Sequence, residues 1–209
     1  MFNKEGWATH PSITVEEKAA IQHGSMAAVR AIVLHRTGSS SGKSVLNAWN
    51  NKKEGTHFLI DEKGKIFQCA SLKTKCWHVG KLYSKCRQVN SCDEADLQII
   101  NNILHGKGSW GQKFRLVTSH ELNKPYPERY PHNHDSLGIE VVGVLGKKSN
   151  IYEDANAAQL TSLFTLIDAL STKYGFNLED LYAHGQVAHK DSKNSEGSSV
   201  LKAYKIYRG

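Results

Sequence analysis

The sequence is short of several things, and each shortage removes a class of protein. No apolar run approaches the roughly 20 residues needed to cross a bilayer, so insertion into a membrane is not expected. Residues 1–10 carry Asn, Lys, Glu and His where a secretory signal needs a basic start and an unbroken apolar stretch, which predicts synthesis in the cytoplasm without a signal peptide. Cysteine is limited to Cys69, Cys76, Cys86 and Cys92, with no CxxC pair among them, which excludes a closed structural zinc site built on thiolates. Their crowding into one window leaves two readings open: one or two disulfides, or free thiols packed as small hydrophobes. Acidic residues number 20 against 27 Lys and Arg, a formal charge of +7 that suits a polyanionic partner. The basic residues are spread along the chain, and no helix-turn-helix, zinc-finger or single-strand-binding signature accompanies them, so nucleic acid is not the expected partner.

What is present reads as one domain with alternating strands and helices. No internal repeat or low-complexity linker divides the 209 residues. Residues 13–23 read as a short amphipathic helix with Thr14 as N-cap and Glu16 and Glu17 in its first turn. Residues 29–35 (VRAIVLH) form a continuous β-prone run delivering His35 to a strand end, followed by a turn-rich loop and a helix over 43–52. Residues 57–61 and 65–69 flank Gly64 as a hairpin, and 75–79 add an edge segment. The stretch 81–135 is long and irregular, holds Pro125, Pro127 and Pro131, and contains one helix near 93–104. Residues 137–142 (LGIEVV) form a core strand, and 155–174 form the clearest helix, its Leu160, Leu163, Phe164, Ile167 and Leu170 on one stripe with Gly175 as cap. A short strand over 181–184 again ends at a histidine, and a last helix covers 198–204. The fold class is therefore α/β, a central mixed sheet flanked by helices.

The chemistry rests on His35 and His184, because a strand end holds a side chain rigidly while opening it to a ligand. Around them the phrases AIVLHRT, GTHFLIDEKGKIFQ, CWHVG, SLGIEVVG and AHGQV occur in that order. In that order they resemble the type 2 N-acetylmuramoyl-L-alanine amidases, which are similar in turn to the peptidoglycan-recognition proteins and phage lysozyme-type amidases. The resemblance runs from about residue 30 to 200. It makes 1–209 a single amidase domain with an extension over 1–26 and an insertion over 81–135.

The resemblance implies a Zn²⁺ held by two histidines and one Cys or Asp, with a fourth position open to water. His35 matches the first ligand and His184 the second. At the third the sequence departs from the family, for no Cys is present and literal alignment puts Ser195 there. Glu196 is the chosen ligand because it directly precedes Gly197 and the apolar Val200; Asp191 and then His189 are the alternatives. Glu140, matching the glutamate of the family's GIE strand, is the candidate general base, and its alternation with Ile139 and Val141 turns it to the opposite face from them. Lys190, with Lys193 as the alternative, is the candidate for stabilising the oxyanion. Trp77 and His78 match a substrate-groove segment. Thr56 stands where some relatives carry a helpful tyrosine, which argues against phenol assistance. His132 and His134 read as solvent-facing loop residues. The implied substrate is peptidoglycan or a muropeptide, cut between N-acetylmuramic acid and L-alanine, by a lysis enzyme or an antibacterial toxin acting in the periplasm or wall after delivery, with a possible immunity or delivery partner. The rival reading is a non-catalytic peptidoglycan-binding module that has lost its third ligand.

Overall fold

The computed structural model describes residues 1–189 and 196–209. In chain order the elements are β1 (Ile13–Val15), β2 (Gln22–Ser25), β3 (Ala31–Arg36), α1 (Gly42–Ala48), β4 (Phe58–Ile60), β5 (Ile66–Gln68), β6 (Thr74–Cys76), α2 (Lys85–Gln88), α3 (Glu94–His105), α4 (Trp110–Glu121), β7 (Ser136–Val141), α5 (Ala157–Tyr174), β8 (Leu181–Ala183), α6 (His184–Val187) and α7 (Ser198–Arg208). Six strands make one mixed sheet in the order β1-β5-β4-β7-β3-β8, antiparallel only at the β4–β5 hairpin. The expected α/β class and mixed sheet are found.

Strand β3 is buried along its whole length because both faces of the sheet are covered, as a continuous apolar strand sequence requires. Ile32 and Leu34 point into the main core with Phe58, Ile139, Leu166, Leu170 and Tyr204, so helices α5 and α7 cover that face. Ala31 and Val33 point the other way, against Val79, Leu82, Tyr130, Tyr182 and Val187. His35 continues this second row, and the parallel register sets it beside Glu140 of β7. Helix α5 begins at a capping box formed by Asn156 and Gln159 and ends at Gly175 in the left-handed conformation. The Gln159 amide also donates to the carbonyls of Asp61 and Val142, which ties the helix to two strand ends.

Three expectations are corrected. Residues 13–23 are not a helix: β1 pairs with β5, and the amides of Glu16 and Lys18 donate to Gln68 and Cys69, so sheet pairing outweighs the local helical pattern and buries Ile13 and Ile21. Residues 75–79 are not an edge of the main sheet, because β6 pairs with β2 in a separate two-stranded ribbon. The 81–135 stretch holds three helices, including α4, whose Ser109–Gln112 capping box starts it directly after the glycines at 106 and 108. Both readings of the cysteines hold in part: Cys86 and Cys92 form a disulfide, while Cys69 and Cys76 are buried thiols. Among the described residues no helix is long and apolar enough to cross a membrane.

Candidate active site

Three elements deliver three donors to one point. His35 stands near the C-terminal end of β3, His184 opens α6 directly after β8, and Glu196 precedes α7. The backbone at Gly197 has φ of +81°, and a Cβ there would overlap the carbonyl of Leu34. Only glycine lets the chain lie this close to β3, which is what seats the Glu196 carboxylate against the two imidazoles. The Gly185 amide donates to the Glu196 carbonyl at 3.1 Å and fixes the segment from the other side.

Glu196 Oε1 lies 3.1 Å from His35 Nδ1 and 2.6 Å from His184 Nδ1, and the three donor atoms all fall within 4.8 Å of one another. All three side chains are buried. Burial alone would raise the carboxyl pKa of Glu196, but hydrogen bonds and charge from His184 and His35 outweigh it and hold the group well below the usual carboxylate range.

The tautomer of His184 tests whether this set fits a cation. Its Nε2 lies 2.7 Å from the carbonyl of Val79, which can only accept, so Nε2 carries the proton. In a neutral ring Nδ1 is then an unprotonated nitrogen aimed at a carboxylate oxygen, a contact that needs a positive charge between them. An added proton or a metal ion supplies it. Two imidazoles and one carboxylate are also the donor set of catalytic zinc sites that keep a fourth position for water. The residues present therefore fit Zn²⁺.

A cleft of about 850 Å³ opens beside this cluster. Glu140 lines it on the same sheet face as His35. Trp77 forms part of its wall, 43 % exposed, with the ring of His23 stacked on it at 3.8 Å. His78 lies deeper, its Nδ1 3.1 Å from His35 Nε2 and its Nε2 3.3 Å from the Ser136 carbonyl. Burial first, and then the neighbouring His35, hold the His78 ring well below its ordinary pKa. Thr56 is buried, and its hydroxyl donates to the Phe58 carbonyl.

Lys190, Lys193 and Asp191 lie outside the described residues. His189 packs its ring against Tyr83 and Phe114 of the 81–135 stretch at centroid distances of 3.7 and 3.6 Å, and Glu196 is the third member of the described donor group. His132 is not solvent-facing as expected. It is buried, with Nε2 3.3 Å from the Gly80 carbonyl, because Asp135 accepts from its backbone amide and from Arg129 and pins the turn inward; His134 is exposed, as expected. Sequence reasoning missed two residues here. Asn133 accepts through Oδ1 from the amides of His78 and Val79 at 3.0 and 2.9 Å, fixing the segment whose Val79 carbonyl orients His184. His23 comes from a segment read as helix, and its stacking on Trp77 depends on the β2–β6 ribbon that places them together.

A sheet whose strand ends present two histidines to a carboxylate from the turn before α7, beside an open cleft, has the donor set of a metal-dependent hydrolase. Residues 25–198 match the model of a family described as N-acetylmuramoyl-L-alanine amidase. The chain belongs to that family and to its class of enzyme. Solved structures agree at the level of fold. A selenomethionine derivative of AmpD has a TM-score of 0.62 at 15% identity, covering 99% of this chain and 98% of its own. A mutant endolysin from Bacillus subtilis has a TM-score of 0.52 at 15% identity, covering 94% and 97%. AmpDh3 from Pseudomonas aeruginosa, in complex with anhydromuramic pentapeptide, has a TM-score of 0.51 at 15% identity, covering 91% of this chain and 59% of that one. No curated protein matches the chain in sequence.

Proposed function

We propose that this amidase cuts the bond between N-acetylmuramic acid and L-alanine of the bacterial cell wall with a Zn²⁺ held by His35, His184 and Glu196. The observation that carries the reading is the convergence of two imidazole Nδ1 atoms on one carboxylate oxygen at 3.1 and 2.6 Å. A zinc ion bound there would polarise the scissile carbonyl and lower the pKa of attacking water. Glu140, one strand over from His35 and at the cleft, takes the proton of that water and returns it to the leaving amine. Lys190 brings positive charge to the developing oxyanion. Trp77, its exposed ring braced by His23, forms a wall for the sugar or the first stem residues. The anhydromuramic pentapeptide held by AmpDh3 supports a substrate of this chemistry.

The enzyme acts on the wall, as a lysis enzyme or a toxin delivered to another cell. The charge of +7 favours residence on an anionic polymer, and the Cys86–Cys92 bridge suits an oxidising compartment. A delivered toxin would travel with a delivery or immunity partner.

The test uses the purified protein, its metal content measured by mass spectrometry, and sacculi as substrate. One zinc per chain, stem peptides released with free L-alanine termini, and loss of both on chelation are expected. Glu140→Gln should keep the zinc and lose roughly 10²–10⁴-fold in rate, the usual worth of a positioned acid–base group. Full activity in metal-free protein would refute the zinc reading, and a wild-type rate for Glu140→Gln would remove Glu140 from its role.

A further inference from the structure

His35 has two ring nitrogens, and its usefulness to a cation depends on which of them carries the proton. Nδ1 faces Glu196 at 3.1 Å and Nε2 faces Nδ1 of His78 at 3.1 Å. A hydrogen bond between two neutral imidazoles uses one proton, and its direction is decided by what the second ring touches beyond.

That decision falls to Ser136. Its carbonyl, 3.3 Å from His78 Nε2, can only accept. Its hydroxyl, 3.4 Å from the same nitrogen, donates its single hydrogen to the His132 carbonyl at 2.7 Å, so toward His78 it too can only accept. Nε2 of His78 is therefore the donor. His78 Nδ1 must then accept and His35 Nε2 must donate to it, so in a neutral ring His35 Nδ1 faces Glu196 unprotonated, with its lone pair available to a cation.

We infer that His78 is a positioning residue, the middle of a Ser136–His78–His35 relay that holds His35 in the tautomer able to bind a cation through Nδ1. The inference rests on the metal reading above and assigns His78 differently from the substrate contact that family resemblance implies. Both ring nitrogens are committed to the protein, and the ring is buried. Two further features hold it there. Asn133 Oδ1 accepts from the His78 and Val79 amides, pinning the backbone. Gly138 of β7 leaves the space in which the ring lies: a Cβ at Gly138 would come within 2.9 Å of His78 Nδ1. The same backbone segment serves both zinc-side histidines, since the Val79 carbonyl fixes the tautomer of His184. Groups that hydrogen-bond a metal's ligands orient them and typically alter affinity by about 10–100-fold.

The experiment compares the wild type with His78→Phe, which fills the space without an acceptor, and His78→Asn, whose amide oxygen can take the place of Nδ1. Zinc affinity is measured by competition with a chromophoric chelator, and ring protonation of His35 by nitrogen-15 NMR of the metal-free protein above neutral pH. His78→Phe should bind zinc about 10–100-fold more weakly with a retained thermal transition, and His78→Asn should recover most of the affinity. The wild-type His35 ring should carry a proton on Nε2, whether or not Glu196 draws a second one onto Nδ1. Unchanged zinc affinity in His78→Phe, or a wild-type His35 whose Nε2 carries no proton, overturns the relay. A wild type that takes up no zinc defeats the metal reading, while the NMR result still decides the relay by itself. If His78→Phe fails to fold, the wild-type ring spectrum and the affinity of His78→Asn decide it.

Discussion

At Gly197 a backbone in the left-handed region and a carbonyl from β3 occupy the space a side chain would need. Gly197→Ala should therefore cost on the order of 1–3 kcal/mol in chemical denaturation and weaken zinc binding, because the displaced backbone carries Glu196 away from His184. The same loss of stability with no change in zinc affinity would show that the carboxylate is held by something else. At this scale the sequence was partly legible. His35 and His184 are visible because β-prone runs end on them, and Glu196 because it precedes a glycine and an apolar helix start. Asn133 and Ser136 were not, since what matters about them is which amide or ring nitrogen they meet across the fold. No spacing in the chain encodes that Ser136 faces a ring 58 residues earlier. His132 illustrates the same limit: a histidine in a Pro/Asn-rich loop reads as exposed until Asp135 and Arg129 are seen to fold the loop inward.

Among the elements, strands with a clear core face were readable and pairings that depend on a distant partner were not. Residues 29–35, 57–69 and 137–142 carry enough β-branched and aromatic residues to declare themselves, and α5 declares itself by its apolar stripe. Residues 13–25 do not, because β1 exists only through β5, and helix α4 hid behind a glycine-rich approach and a mostly polar surface. The 81–135 stretch that carries α2, α3 and α4 is stapled by the Cys86–Cys92 bridge, next to a network in which Lys124 pairs with both Asp96 and Glu121. Thiol titration of the native protein should find almost no reactive cysteine, and titration after denaturation without reductant should find two, from Cys69 and Cys76. Burial pushes the Cys69 thiol up to about 12 and Cys76 further, so neither reacts while folded. Cys86→Ser with Cys92→Ser should lower stability by about 2 kcal/mol, as expected for so short a loop, with the zinc site intact. Four thiols on denaturation would refute the bridge.

For the molecule as a whole, acid is the condition to which the site face responds. His57 is fully buried; its Nε2 donates to the Thr74 carbonyl and its Nδ1 accepts from the Gly138 amide, so the ring is locked neutral. Burial lowers its pKa from 6.5 to about 4, and burial likewise lowers His132 to about 4. Both folded values lie below the ordinary one, so the stability they contribute is complete above about pH 6.5 and is lost as pH falls toward 4. For His57 the full loss is roughly 3 kcal/mol. Melting temperature should fall steadily on acidification through that window, and His57→Gln should flatten the slope; an unchanged slope would exclude His57 as the source. The order of His35, His184 and Glu196 along the chain has a separate bearing on how this site comes into being. A nascent chain that has emerged through β7 carries Glu140 and, of the three donors, only the His35 imidazole. The second imidazole arrives with the edge strand β8, and the carboxylate arrives with the turn into α7. If these three donors hold the metal proposed above, the site cannot assemble until residues 196–208 have docked against the sheet, and a chain halted before them would be unable to bind it.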